Sequence, residues 1–251
     1  MRCLLLLVAA LIFPTGAIKT LPLYIKPCAR LDPKFNECVV KHGNEAIPHV
    51  AKGDQKYKIP VLDPLDLKEV KVVQDEQRPV GIALTLRNAK VQGLKDTVLR
   101  KADINFDRQH TFFEGTVPLV HIIGQYEMSG RILVQPINGI GDITLILRNV
   151  HMTFDEDWKF IPRDGEKYVF IENVTSSVVP GSVNVNITNL FGGNKLLGDQ
   201  MNIFLNENWK QLFKDLSPVI FKIFAEVLAS SLNTITTDIP FDTMFPERIP
   251  K

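Results

Sequence analysis

Residues 199–233 read DQMNIFLNENWKQLFKDLSPVIFKIFAEVLASSLN, and their spacing decides the fold. Leu205, Trp209, Leu212, Phe213, Leu216, Ile220, Ile223, Phe224, Val227, Leu228 and Ser231 recur at intervals of three and four, the period of an amphipathic helix. A continuous helix over this stretch would be about 50 Å long at 1.5 Å per residue. Pro218 is expected to bend it, by removing one backbone donor and crowding the preceding turn. Lys214, Lys222 and Glu226 exclude a membrane span. So long a helix with so wide an apolar stripe needs an equally long apolar partner.

Only the preceding region can provide one. From Ile59 to Ile187 the hydrophobic period is two: Ile82, Leu84, Leu86; Ala102, Ile104, Phe106; Ile122, Gly124, Tyr126, Met128; Ile143, Leu145, Leu147; Val183, Val185, Ile187. Such alternation predicts half-buried antiparallel strands. Gln92-Gly93, Asn138-Gly139, Arg163-Asp164-Gly165 and Pro180-Gly181 read as turns between them. The phase slips near Asn149, where Val150, Met152 and Phe154 continue on the other parity, and a bulge would account for it. Further upstream, Asp32-Pro33 predicts a short helix to about His42, ended by Gly43, with another turn possible between Asn44 and Asp54.

The N-terminus sets the compartment. Arg2, the apolar run Leu4 to Phe13 and the small residues to Ala17 read as a signal peptide over residues 1–17, leaving 18–251 as a single domain. Removing it takes away Cys3 and leaves Cys28 and Cys38, which read as one disulfide. By chain entropy such a loop contributes about 3 kcal/mol. Without Arg2 the charges balance at 28 basic and 28 acidic residues, so neither a nucleic-acid surface nor a polybasic membrane surface is indicated.

Catalytic and metal constellations are missing from the sequence. His42, His49, His110, His121 and His151 are scattered, with no metal-ligand spacing, and there is no G-x-S-x-G nucleophile elbow. Gly139-Ile140-Gly141 lacks the third glycine of a dinucleotide fingerprint and reads as a turn, while Gly192-Gly193-Asn194-Lys195 leads into the long helix. Asp155-Glu156-Asp157 reads as a solvated loop tip in preference to a calcium site. Asn173 and Asn186 open N-x-T sequons. Asn186 lies on the polar parity of its strand, whereas Asn173 shares the parity of Val169 and Ile171.

Five fragments in order resemble the takeout and juvenile-hormone-binding family of secreted insect proteins. They are Cys28, Asp32-Pro33, Phe35 and Cys38; Ile59 to Leu65; Tyr126 with Gly130 to Ile137 and Gly139 to Gly141; Asn206, Trp209, Leu212-Phe213, Leu216 and Pro218; and Ile239 to Pro246. Gln135, where the family favours an aliphatic residue, and Lys68-Glu69, where a proline is common, depart from it. The resemblance implies an α+β fold, a strongly curved antiparallel sheet wrapped around one long C-terminal helix and enclosing a hydrophobic tunnel. It also implies a non-enzymatic carrier of juvenile hormone, another terpenoid or a fatty-acid-like lipid, with no cofactor, and with circadian, feeding or courtship roles in some members. The inward residues then expected to line the tunnel are Ile104, Phe106, Ile122, Tyr126, Ile132, Val134, Leu145, Phe213 and Phe224. Tyr126 is the polar handle among them: its hydroxyl takes either a ligand oxygen or a backbone carbonyl as partner. Two other functions remain open at this level, a lipid-transfer protein unloading at membranes and an extracellular signal recognised by a receptor.

Overall fold

Strands β4 (His110–Ile132) and β5 (Gln135–Arg163) form the spine, paired antiparallel from Ile132↔Gln135 to His110↔Asp157. The computed structural model describes residues 20–72, 80–132 and 135–249; the leader expected at 1–17 and the lining candidate Val134 lie outside them. Around the spine stand β1 (Leu65–Val72), β2 (Val80–Gln92), β3 (Val98–Asn105), β6 (Glu166–Val179) and β7 (Ser182–Ile187). All seven belong to one antiparallel sheet, ordered β1-β2-β4-β5-β6, with β3 on β4 and β7 on β5. The expected period-two segments fall in these strands, except that Phe106 begins the turn after β3.

The parity slip at Asn149 is real, but it is not a bulge. Val117 and Val120 both point inward in β4, and so do their partners Val150 and Leu147 in β5. The pairing Val117↔Val150, Leu119↔Arg148 runs through without displacement. A third strand shares the break, because β6 and β7 lie end to end along β5 and are separated there by Pro180-Gly181. The Gly181 N–H donates to the carbonyls of Arg148 (2.9 Å) and Asn149 (3.2 Å), and Asn149 takes a φ of 51°. The sheet is thus creased across three strands at one level, which keeps an apolar inner face while turning it. Pro180-Gly181 therefore marks the crease and not a turn between paired strands. Asn138-Gly139 is no turn either, but lies inside β5. Asp164-Gly165, at φ 53° and 79°, does close the β5–β6 hairpin.

The helices depart from expectation in two places. Helix α1 spans Phe35–Val50, so Asp32 caps the preceding turn (Lys34 N–H to Asp32 Oδ1, 2.8 Å) and Gly43 lies within the helix. A Cβ at Gly43 would stand 3.0 Å from the Leu99 side chain, so this glycine lets α1 approach β3 closely. The long C-terminal helix is broken into α2 (Lys195–Glu207) and α3 (Trp209–Thr236). Asn208, at φ −103° and ψ 14°, leaves helical geometry, and its side-chain amide donates to the Phe204 carbonyl (2.8 Å). Asparagine competes with the helix for such bonds, whereas the apolar stripe continues regardless of the break. At Pro218, α3 bends by 49° as its sequence predicts. A short helix α4 (Phe241–Met244) follows.

Against these helices the inner face of the sheet forms three apolar clusters. One, at the α2 end, contains Tyr126, Ile132, Ile143 and Leu205; the middle one contains Val117, Val120, Leu147 and Val150; the third contains Trp158, Ile239 and Phe241. The last is an aromatic end, where Phe106, Phe160, Phe241 and Phe245 meet at ring-centroid distances of 5.0–5.7 Å. The Cys28–Cys38 disulfide forms as expected, with Cα atoms 5.9 Å apart. Beside it, Arg30 ties the N-terminal segment to the C-terminal one through Asp242, Glu247 and the Phe245 carbonyl.

Candidate functional site

The candidate site is the interior between the sheet and α3, and the expected lining residues are strung along it. Ile122 and Leu145 are direct cross-strand partners at the middle of β4 and β5. Both pack against the middle cluster, as do Phe213, Phe221 and Phe224 of α3. All five are only half-buried, although Val120 and Leu147 next to them are buried. These inward apolar side chains are flanked by core and still partly accessible to water.

Tyr126 and Ile132 lie in the α2-end cluster, which Leu145 also touches, and there Leu84 and Leu86 of β2 are half-buried too. The period of Leu84 and Leu86 marks them as inward, and they join the expected residues at this end. Phe106 belongs to the aromatic end. Ile104, also half-buried, donates its N–H to Asn36 Oδ1 of α1 (3.2 Å). The set therefore marks an elongated interior and not one contact point.

Tyr126 is 1% exposed, and its hydroxyl donates to the Thr188 carbonyl at 2.6 Å. Of the two partners open to it, the phenol takes the backbone, and burial raises its pKa. Gly139 makes the room: a Cβ there would stand 2.5 Å from the Tyr126 Oη and 3.1 Å from the Asn189 carbonyl. The Gly139-Ile140-Gly141 pair thus serves close approach of the segment after β7 to β5, where Gly139 bridges Leu190.

Asp155-Glu156-Asp157 is a stretch of β5 and no loop tip. Asp155 and Asp157 are exposed beside His110, but Glu156 points inward and is 2% exposed, with its Oε1 lacking a hydrogen-bond partner among the described residues. Burial foremost, then the neighbouring Asp155 charge, push this carboxyl up to about 7, with His110 opposing. The aqueous look of three consecutive acids hid it.

Both sequon asparagines are exposed. For Asn173 this reverses the parity argument: the pairing shifts between Asp157↔Asn173 and Trp158↔Ile171, so Asn173 turns outward while Ile171 stays buried. Cys28, Cys38 and His42 converge closely, but the sulfurs are spent in the disulfide and offer no thiolate to a metal.

The sequence model described as haemolymph juvenile hormone binding protein matches residues 3–246. Among curated relatives, the circadian clock-controlled protein daywake of Drosophila melanogaster is 23% identical over 226 residues, covering 87% of both chains. Daywake of Drosophila yakuba is likewise 23% identical over 227 residues, with 87% of each covered. Among solved structures, Epiphyas postvittana Takeout 1 superposes with a TM-score of 0.81 at 24% identity, over 88% of this chain and 100% of that one. The curved sheet closed by C-terminal helices is that fold, and the chain belongs to the haemolymph juvenile hormone binding protein family.

Proposed function

We propose that this protein is a secreted, non-enzymatic carrier that holds a small hydrophobic ligand, such as a juvenile hormone, another terpenoid or a fatty-acyl lipid, between its sheet and α3. The observation that carries the reading is the half-buried apolar lining at mid-core: Ile122, Leu145, Phe213 and Phe224, continued by Ile104 and Phe106 toward the aromatic end. Tyr126 and Ile132 bound the other end of the space, and Val134 completes the proposed set. Burial alone suffices as the driving force. Sequestering about fifteen methylenes at about 0.8 kcal/mol each gives about 12 kcal/mol gross, which ordering costs reduce to micromolar-to-nanomolar affinity.

Secretion is supported by the disulfide, by the haemolymph family and by the leader-like residues 1–17. Exposed Asn173 and Asn186 are suited to carry glycans. Relatives named for clock control favour a rhythmic physiological setting for the cargo. Mass spectrometry of an organic extract of the secreted protein tests the carrier directly. A stoichiometric terpenoid or fatty-acyl species supports it; an empty protein that also fails to bind a fluorescent fatty acid points to the receptor-recognised signal instead.

One observation favours membrane unloading as a second activity. Leu196, Leu197 and Ile203 of α2 are exposed, as is Ile140 of β5, whose neighbour Gly139 bridges Leu190 just ahead of α2. Transfer of a fluorescent lipid between vesicles, slowed by Leu196→Ser with Leu197→Ser, is the expected result.

A further inference from the structure

Within the apolar interior Glu156 is anomalous. It lies on β5 between Phe154, which packs on the middle cluster, and Trp158 of the aromatic end. Its cross-strand neighbours are Thr111 on β4 and Val174 on β6. The nearby indole N–H is already used, since Trp158 Nε1 donates to Thr111 Oγ1 at 3.1 Å. Asp155 and Asp157 face the other side of the sheet, with His110 Nδ1 3.0 Å from Asp157. A buried acceptor without a partner is costly and calls for an explanation in a native fold. Here the carboxyl stands on the strand where the middle cluster, through Phe154, gives way to the aromatic one, through Trp158.

Building on the carrier reading, we propose that Glu156 is the polar anchor of the interior and that the ligand is an apolar chain bearing a hydroxyl, which donates to Glu156 Oε1. A hydroxyl suits this carboxyl in either protonation state: it donates to the carboxylate and accepts from the acid. A fatty-acid carboxylate is repelled by the ionised form. An ester or epoxide offers acceptors only and leaves an ionised Oε1 unpaired. An amine would bring a second ion into an apolar space, where desolvation rivals the attraction.

The test compares tetradecanol with its methyl ether, which keeps the chain and the oxygen but lacks the donor. At about pH 8.5, where the Glu156 carboxyl is ionised, both displace N-phenylnaphthylamine from the native protein, from Glu156→Gln and from Glu156→Leu. The native protein is expected to bind the alcohol about tenfold more tightly than the ether, the scale of one hydrogen bond to a charged group. Glu156→Leu abolishes the preference by weakening the alcohol alone, and Glu156→Gln, which keeps an acceptor oxygen, retains part of it. Equal affinities in the native protein, or a preference undiminished in Glu156→Leu, overturn the anchor and leave the carrier standing. Failure of both compounds to displace the dye overturns the anchor and the carrier together. Should Glu156→Leu not fold, the native ratio and the Glu156→Gln ratio decide the matter.

Discussion

Tyr126 and Glu156 both point inward from the spine of the sheet, and they differ in whether the fold satisfies them. Tyr126 is satisfied by the Thr188 carbonyl. Tyr126→Phe is therefore expected to cost about 1 kcal/mol of stability, measured by urea unfolding, and to leave affinity for an oxygenated ligand unchanged. A selective loss of that affinity would instead put the hydroxyl on the ligand. Glu156 has no such partner, and its pKa of about 7 against an ordinary 4.5 fixes a sign. Between those values the folded protein binds more protons than the unfolded one, so stability falls as pH rises through the window. The full loss above pH 7 is of order 3 kcal/mol. Glu156→Gln is expected to flatten this part of the stability–pH curve and to raise the melting temperature at pH 8; an unchanged slope would show that Glu156 does not titrate there.

At the scale of elements, the helices are fastened to the sheet by asparagine side chains that imitate a neighbouring strand. Asn206 of α2 accepts from the Val185 N–H (2.8 Å) and donates to its carbonyl (2.7 Å). Asn202 does the same for Ile187, Asn233 of α3 for Ile171, and Asn44 of α1 for Leu99. Asn206→Ala is expected to cost about 2 kcal/mol, one net hydrogen bond at each end of the amide. It should also speed hydrogen exchange at Val185 before other β7 amides; protection unchanged at Val185 would contradict the clamp. These contacts explain what the sequence could and could not disclose. Periodicity exposes a face, so the strands, the apolar side of the long helix and the inward direction of Ile122, Leu145 and Phe213 are legible in the sequence. Which polar residue meets which backbone group is decided by the packing of distant segments, and nothing local marks Asn206 as different from Asn208, which breaks the helix. Glu156 continues the inward parity of Val150, Met152 and Phe154, but standing between Asp155 and Asp157 its charge reads as solvated.

Over the whole molecule, the crease at Asn149 and Pro180-Gly181 turns the inner face while the pairing of β4 and β5 stays in register, and α3 bends near Pro218 over that curved face. In the proposed carrier Phe213 of α3 stands at mid-core beside Phe221, 6.2 Å away between ring centroids, where added bulk narrows the ligand space. Phe213→Trp is expected to exclude the longest ligands first, read as affinity across a series of fatty alcohols; a uniform loss over all chain lengths would contradict a tunnel at this point. The asparagine clamps have a further consequence for the molecule among its own copies. A strand on the margin of a sheet ordinarily leaves amides and carbonyls free to recruit another chain. On the β7 margin those valences at Val185 and Ile187 are already filled from within, and exposed Asn186 between them stands where a glycan would screen the rest. Along this margin two side-chain amides, those of Asn202 and Asn206, thus occupy backbone groups that another chain would otherwise pair with.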